Sequence, residues 1–428
     1  MPRSLADWLD YQQRIHPRAI ALGLDRVREV WHRLGARRPA PVVIAIGGTN
    51  GKGSTVAFLE AMLLAGGRRV GAYTSPHLLR YNERVRIGGA DVGDAALIDV
   101  FERIEAARGD VELTYFEYGT LAALVLFAEA GLDVALLEVG LGGRLDAVNI
   151  VDADASIVLT VDLDHQDWLG NDRDSIGREK AGIFREGRPA VIGDAAAPRG
   201  LLDEAARMGA AVCIAGRDFR TEVRANDWRW QGGDVDLVLP HPALDAPCQH
   251  ANAAAAIAAL HALRARLGWN PDAIARGVAN AHASARLQRL ASSPELIIDV
   301  AHNPQAARVL ATWLGAHPPA GRTLAVFGAL GDKDVRGIVE PLRDVVSVWH
   351  LAGLSHDSPR GLDAAALDEL VRTAQATADI AAAHDDVQTA LAAAFENARH
   401  GDRVVAFGSF FVAAAALQFA RARAFAAG

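Results

Sequence analysis

The apolar run Val42-Val43-Ile44-Ala45-Ile46 breaks into Gly47-Gly48-Thr49-Asn50-Gly51-Lys52-Gly53-Ser54-Thr55. A buried strand that enters a glycine-rich turn and leaves it as a helix can cradle phosphate. Glycines let backbone N–H groups close on phosphate oxygens, and the helix N-terminus adds positive potential. Lys52 is placed to neutralise the β- and γ-phosphates, and Ser54 or Thr55 to face phosphate or magnesium. The spacing departs from the common Walker form, because three residues separate Gly47 from Gly51-Lys52 and Gly53 precedes the hydroxyl. A tight turn with an incidental lysine is the plainer alternative. The loop points to a nucleoside triphosphate and does not choose between kinase, ATPase and ligase.

Four further segments carry groups able to do chemistry. They are Ser75-Pro76-His77-Leu78 with Tyr81-Asn82-Glu83-Arg84; Thr114-Tyr115-Phe116-Glu117; Leu137–Asn149; and Asp164–Gly170 with Ile176–Ile183. Glu138 ends an apolar strand and meets a glycine-rich loop, where a carboxylate is costly unless paired or bound to metal. His165 follows a strand and has three readings: a metal ligand through neutral imidazole, a general base, or a histidine with its hydrogen bonds satisfied by protein. Magnesium prefers oxygen, so a histidine ligand would be unusual. Lys180 lies on a helix beginning near Ser175, and pairing with Asp174 or Glu179 is its ordinary reading.

The elements that must position these groups alternate along the chain. Val42–Ile46, Val134–Val139, Ile157–Val161 and Ala190–Gly193 read as buried strands, with helices around Ser54–Ala65, Tyr118–Ala130 and Ser175–Phe184. Such alternation implies parallel strands with crossover helices. Asp218–Leu239 reads as antiparallel strands at the edge of the sheet, followed by an alanine-rich helix from about Ala251 to Leu267. A second α/β series begins near Pro294, with strands at Leu296–Val300, Thr323–Phe327, Val345–His350 and Val404–Phe407. Leu287–Ser293 is the expected hinge. The expected division is residues 1–287 and 288–428, with ligands at the carboxyl ends of the strands and between domains.

The 428 residues are 51% hydrophobic and 22% charged, a globular composition too long for one ordinary core. The apolar stretch Phe410–Phe419 soon meets Arg421 and Arg423 and reads as a buried helix, not a membrane span. Met1–Arg18 carries Asp7, Asp10, Arg14 and Arg18 on an amphipathic pattern, which speaks against a signal peptide. Cys213 and Cys248 are too few for a disulfide framework, and a reducing cytoplasm fits. A formal net charge of −8 speaks against a dedicated nucleic-acid binder.

Taken together, the phosphate loop and the four segments resemble the folylpolyglutamate synthase family, including its bifunctional dihydrofolate synthase/folylpolyglutamate synthase form, which belongs with the Mur ligases. The resemblance runs from Leu5–Leu9 and Leu22–Val27 through Gln249–Ala253 to Asp299-Val300-Ala301-His302-Asn303-Pro304 and Gly408-Ser409-Phe410. It implies an N-terminal P-loop ATPase domain with a mostly parallel sheet and a smaller Rossmann-like C-terminal domain. It implies ATP on Thr49, Asn50, Gly51, Lys52, Gly53 and Ser54, with Asn252, Arg286 and Asp299 holding adenine, phosphate and ribose. Magnesium, as two ions, would sit on Ser75, Glu138 and His165. Ala21, Leu22, Gly23, Leu24, Thr114, Tyr115, Phe116, Glu117, Leu145, Asp146 and Ala147 would line the pterin pocket. Lys180 matches a lysine carbamylated in the family, and Lys52, Glu138, His165 and Lys180 would carry the catalysis. A free lysine amine is only about 0.04% neutral at pH 7, so burial is needed before CO2 can add.

The implied reaction joins L-glutamate to 7,8-dihydropteroate and to tetrahydrofolate, at the expense of ATP, through an acyl phosphate. The resemblance further implies a cytoplasmic monomer without nucleic-acid or membrane partners. Rival readings are polyglutamylation alone, a ligase acting on a UDP-muramyl peptide, or a P-loop binding protein without ligation. Two departures stand out. Ser284-Ala285-Arg286 occupies the place of a usual Pro-Gly-Arg, and Val148 that of a usual threonine.

Overall fold

The computed structural model describes residues 4–16 and 21–423; Arg18, counted above with the N-terminal stretch, lies outside them. The contacts divide the chain into two units, residues 1–243 with 249–282, and residues 244–248 with 283–428.

The first unit is built on β1 (Val42–Gly47), β2 (Val70–Tyr73), β3 (Val85–Ile87), β4 (Ala90–Asp91), β5 (Val134–Glu138), β6 (Ala155–Val158), β7 (Pro189–Ile192) and β8 (Ala211–Ile214). They form one sheet in the order β4-β3-β2-β5-β1-β6-β7-β8. From β2 to β8 neighbours run parallel, and β3 and β4 add an antiparallel edge. Every residue of β1 and β5 is buried, as expected of parallel strands covered on both faces. The order sets β1 between β5 and β6, with β2 beyond β5. The carboxyl ends of all four therefore lie side by side, and each leads into one of the chemistry-bearing segments.

Three helices matter to that edge. Lys52–Ala65 leaves the phosphate loop, with Gly51 at its N-cap in the left-handed region. Tyr115–Glu129 starts in a capping box, in which Thr114 accepts from the Glu117 N–H and the Glu117 carboxylate accepts from the Thr114 N–H. Arg173–Ala181 is capped by Asp172 and carries Lys180 in its last turn.

Asp218–Leu239 does not extend the main sheet as expected. β9 (Phe219–Val223), β10 (Trp228–Gly232) and β11 (Val235–Leu239) make a separate antiparallel sheet. The cause is aromatic: Trp228 and Trp230 are fully buried. Trp230 donates to the Ala254 carbonyl of the helix Gln249–Ala262, and Trp228 packs edge-on to His250. That helix ends at Ala262, and a short helix, Arg264–Leu267, completes the stretch expected as one.

The second unit holds β12 (Gln288–Ser292), β13 (Glu295–Ile298), β14 (Thr323–Phe327), β15 (Val348–Ala352), β16 (Ile380–His384) and β17 (Arg403–Phe407), ordered β12-β13-β17-β14-β15-β16. Its core centres on Phe327, Trp349 and Phe407, whose ring centroids lie 5.2–6.2 Å apart. The expected hinge Leu287–Ser293 is mostly β12, paired antiparallel with β13 around the turn at Ser293-Pro294. Its backbone polar groups find ladder partners, which a free linker would leave to water. Among the described residues no helix is long and apolar enough to cross a membrane.

Candidate active site

The phosphate loop is stitched to the segment beyond β6. Thr49 N–H donates to the Thr160 carbonyl at 2.7 Å, and Asn50 N–H to Thr160 Oγ1 at 3.3 Å. The Thr49 hydroxyl donates to the Asp162 carbonyl and accepts from its N–H. Lys52 Nζ folds back onto the carbonyls of Gly48 and Thr49, at 3.0 and 3.2 Å. Behind the loop, Gln249 donates to Ser54 Oγ and accepts from Asn252 Nδ2. Gln249 and Asn252 are three apart, on one face of their helix. Sequence reasoning marked Asn252 alone, although that spacing also points to Gln249.

Gly51 has φ +88°, and a Cβ there would stand 2.5 Å from Asn252 Oδ1. Left-handed backbone costs a non-glycine residue about 1–2 kcal/mol, before any clash. Gly51→Ala is therefore expected to weaken ATP binding at least tenfold, read by calorimetric titration against the parent protein.

The segment after β2 is closed by Glu83. Its carboxylate accepts from the N–H groups of Leu78, Leu79 and Arg80 at 2.7–2.9 Å. Arg86 then ties this turn to the phosphate-loop helix, donating to Glu60 and also to Thr74 Oγ1 and the Glu83 carbonyl. Within the turn, Ser75 N–H donates to Glu138 Oε2 at 3.0 Å, so the structure brings Ser75 and Glu138 together. Glu138 is buried at the carboxyl end of β5.

Serine hydroxyl and glutamate carboxylate are the hard oxygen donors magnesium prefers. Thr55 Oγ1, in the first turn of the phosphate-loop helix, is buried without a hydrogen-bond partner. Among the described residues no three His, Cys, Asp or Glu side chains form a metal cage. The residues present fit magnesium.

His165 takes a left-handed φ of 50° at the start of a one-turn helix, Gln166–Leu169. Its N–H donates to Asp164 Oδ1 at 2.9 Å, and the residues just before, Thr160 and Asp162, are the ones bonded to the phosphate loop. Lys180 is buried, only 4% exposed. Burial, with the Lys52 cation acting in the same direction, lowers its amine pKa to about 7, against the opposing pull of Asp164 and Asp146. The expected surface pairing of Lys180 with Asp174 or Glu179 is not what is found: Glu179 pairs with Arg144, and Asp174 accepts from the Gly200 N–H. Asp146 accepts from the N–H groups of Leu141 and Val148, and burial still raises it to about 6.

The segments expected to line a pterin pocket converge. Gly23 N–H donates to the Leu145 carbonyl at 3.4 Å. Arg26 Nη2 bonds both the Ala21 carbonyl, at 2.8 Å, and Glu117 Oε1, at 3.1 Å. Phe116 lies over Gly140, where a Cβ would meet the ring at 2.7 Å. Arg26 was missed from sequence; its place just after the segment 21–24, in the first turn of the helix Asp25–Arg33, was the available signal. In the second unit, Asp299 accepts from the N–H groups of Leu287 and Ala301, while Arg286 lies over the Phe410 ring at 5.7 Å. Burial raises the Asp299 pKa despite the Arg286 charge beside it.

Comparison with known proteins gives this geometry a lineage. Residues 285–410 match the family described as Mur ligase, glutamate ligase domain. The dihydrofolate synthase/folylpolyglutamate synthase of Escherichia coli (strain K12) is 49% identical over 366 residues, spanning 85% of each chain. This chain belongs to the dihydrofolate synthase/folylpolyglutamate synthase family. A solved structure of E. coli FolC in complex with DHPP and ADP matches with a TM-score of 0.92 at 45% identity, covering 99% of this chain and 100% of that one. A bifunctional folylpolyglutamate synthase/dihydrofolate synthase with Mn, AMPPNP and L-glutamate bound matches with a TM-score of 0.88 at 45% identity, covering 97% and 98%. Like other members of this ligase family, the chain has an N-terminal nucleotide-binding α/β domain and a C-terminal Mur ligase domain. At the place of the glycine in the expected Pro-Gly-Arg, Ala285 adopts φ +55°, and Leu287, just beyond the stretch, φ +48°. The chain keeps a glycine-type turn without the glycine, held by the Asp299 bond to Leu287.

Proposed function

We propose that this protein joins L-glutamate to 7,8-dihydropteroate, giving dihydrofolate, and to tetrahydrofolate, extending its polyglutamate tail. The observation that carries the reading is the shared strand edge. Phosphate loop, Ser75–Glu138 pair and Lys180 gather there, next to the joined segments 21–24, 114–117 and 145–147. Residues 1–287 would bind ATP, and residues 288–428 would form the C-terminal domain, with Arg286 and Asp299 serving the nucleotide.

In the first step a substrate carboxylate oxygen attacks the γ-phosphorus, the bond to the β-phosphate oxygen breaks, and ADP leaves. Backbone N–H groups of residues 49–54 and the Lys52 ammonium offset the charge that moves. Magnesium, held by Ser75, Glu138 and His165 as two ions, would supply further charge neutralisation on the phosphates. In the second step the glutamate nitrogen attacks the acyl carbon, the bond from that carbon to the phosphate oxygen breaks, and the nitrogen's proton leaves with the phosphate as the amide forms. Holding amine and acyl phosphate in line supplies roughly 7–11 kcal/mol of the barrier, and excluding water protects the acyl phosphate from hydrolysis. Lys180, as a carbamate, would present an anion where its amine is buried. The protein would work as a cytoplasmic monomer, without nucleic acid or membrane.

The test is purified protein with ATP, labelled glutamate and each acceptor separately, with products sized by mass. Glutamate-dependent phosphate release and a new amide with both acceptors are expected. Product from tetrahydrofolate alone reduces the activity to polyglutamylation, and turnover only with a UDP-muramyl peptide overturns the reading.

A further inference from the structure

Arg84 is a buried cation in the turn that follows β2. It is 8% exposed. Its Nε donates to His77 Nδ1 at 2.9 Å, and its guanidinium carbon lies 5.4 Å from the ring centroids of both Tyr81 and Tyr115. Among the described residues no carboxylate pairs with it. The arginines on either side differ: Arg80 pairs with Asp94 and Arg86 with Glu60. Glu83, its neighbour in sequence, has its carboxylate occupied by three backbone N–H groups. A guanidinium largely withdrawn from water and without a carboxylate beside it is costly to hold, and a ligand anion reaching its Nη atoms offsets that cost.

Its place in the unit narrows the anion. Through His77 it touches the turn that carries Ser75, and through Tyr115 it touches the pterin-side segment Thr114–Glu117. It thus stands between the body of the acid substrate and the end that reacts. Dihydropteroate has one carboxylate, and that one is consumed. Tetrahydrofolate carries a glutamate with two; one reacts and the other persists as an anion. We propose that Arg84 is the subsite for this spectator carboxylate, bound through the fork of Nη1 and Nη2. The proposal rests on the reading of the protein as a ligase of both acceptors.

The experiment is steady-state kinetics of the full chain and of Arg84→Gln and Arg84→Lys, with tetrahydrofolate, dihydropteroate and glutamate each varied. Losing a charge-assisted pair should raise the KM for tetrahydrofolate about 10- to 100-fold in Arg84→Gln. The rise for dihydropteroate should be several-fold smaller, and Arg84→Lys should fall between. Should Arg84→Gln fail to fold, by circular dichroism and melting, the lysine variant carries the comparison. A KM for glutamate raised equally with either acceptor assigns the cation to the incoming amino acid and overturns the proposal. So does a fall in kcat that is equal for both acceptors with KM unmoved, the mark of a structural residue. A wild-type chain inactive on both acceptors would instead remove the ligase reading itself.

Discussion

Replacing Lys52 with alanine is expected to lower kcat/KM by about three orders of magnitude, with a melting curve close to that of the parent. The ammonium sits in the phosphate loop, on the carbonyls of Gly48 and Thr49, where the β- and γ-phosphates would displace it. Removing one preorganised donor from a transition state of this kind costs roughly 10²–10³-fold, and a full positive charge lies at the upper end. A second effect compounds the first. Lys52 helps hold the Lys180 amine down near pH 7. Without it Lys180 moves upward, its neutral fraction falls, and less carbamate forms at a given CO2 pressure. Single-turnover phosphoryl transfer and titration of Lys180 by carbon-13 labelling check the two parts. Product formation within threefold of wild type would remove Lys52 from the mechanism.

Lys180→Ala is expected to lose about 10²–10³-fold in turnover and to regain part of it with millimolar formate or acetate. A small anion should then occupy the space that a carbamate on Lys180 would fill. Rescue separates this role from a structural one, because a carboxylate cannot mend a cavity. The pH behaviour comes from the depressed pKa. CO2 adds only to the neutral amine, so protein stripped of CO2 and returned to it should recover activity readily above about pH 7 and poorly below it. The sign for stability is set the same way. Between about 7 and the ordinary amine value of 10.5 the unfolded lysine binds a proton that the folded one does not. Unmodified protein therefore gains stability as pH rises through that window, and carbamylation should flatten the dependence. Melting temperatures in CO2-free and bicarbonate buffers measure it. Two identical curves would argue against the modification.

Local patterns carried most of the fold into the sequence. The strand β1 and its glycine loop are contiguous, so their residue types identify them without tertiary information. Glu138 was legible because a carboxylate closing the apolar run of β5 is too costly to sit there unbound. Lys180 was not legible from its neighbours: Arg178 and Glu179 suggest an exposed helix face, and only the packing of the last turn shows that this lysine points inward. Arg84 was hidden for the opposite reason. Its segment was conspicuous, but whether an arginine has a counter-charge depends on three dimensions. The strands β9–β11 show their antiparallel character in sequence but not their separate sheet, because period-two alternation gives a strand its faces and says nothing about its pairing partner. The residues of β12 look like a connector in sequence because a short polar stretch reads alike whether or not a ladder receives it.

The three N–H groups gathered by the Glu83 carboxylate bear on speed as much as on shape. A turn clasped in this way stands ready before any nucleotide arrives. The conformational freedom of its backbone, about 1–2 kcal/mol per residue, is given up once, as the chain folds, and not again with each catalytic cycle. An acid whose oxygens are taken up by backbone N–H groups can thereby help set how fast the enzyme begins its next round.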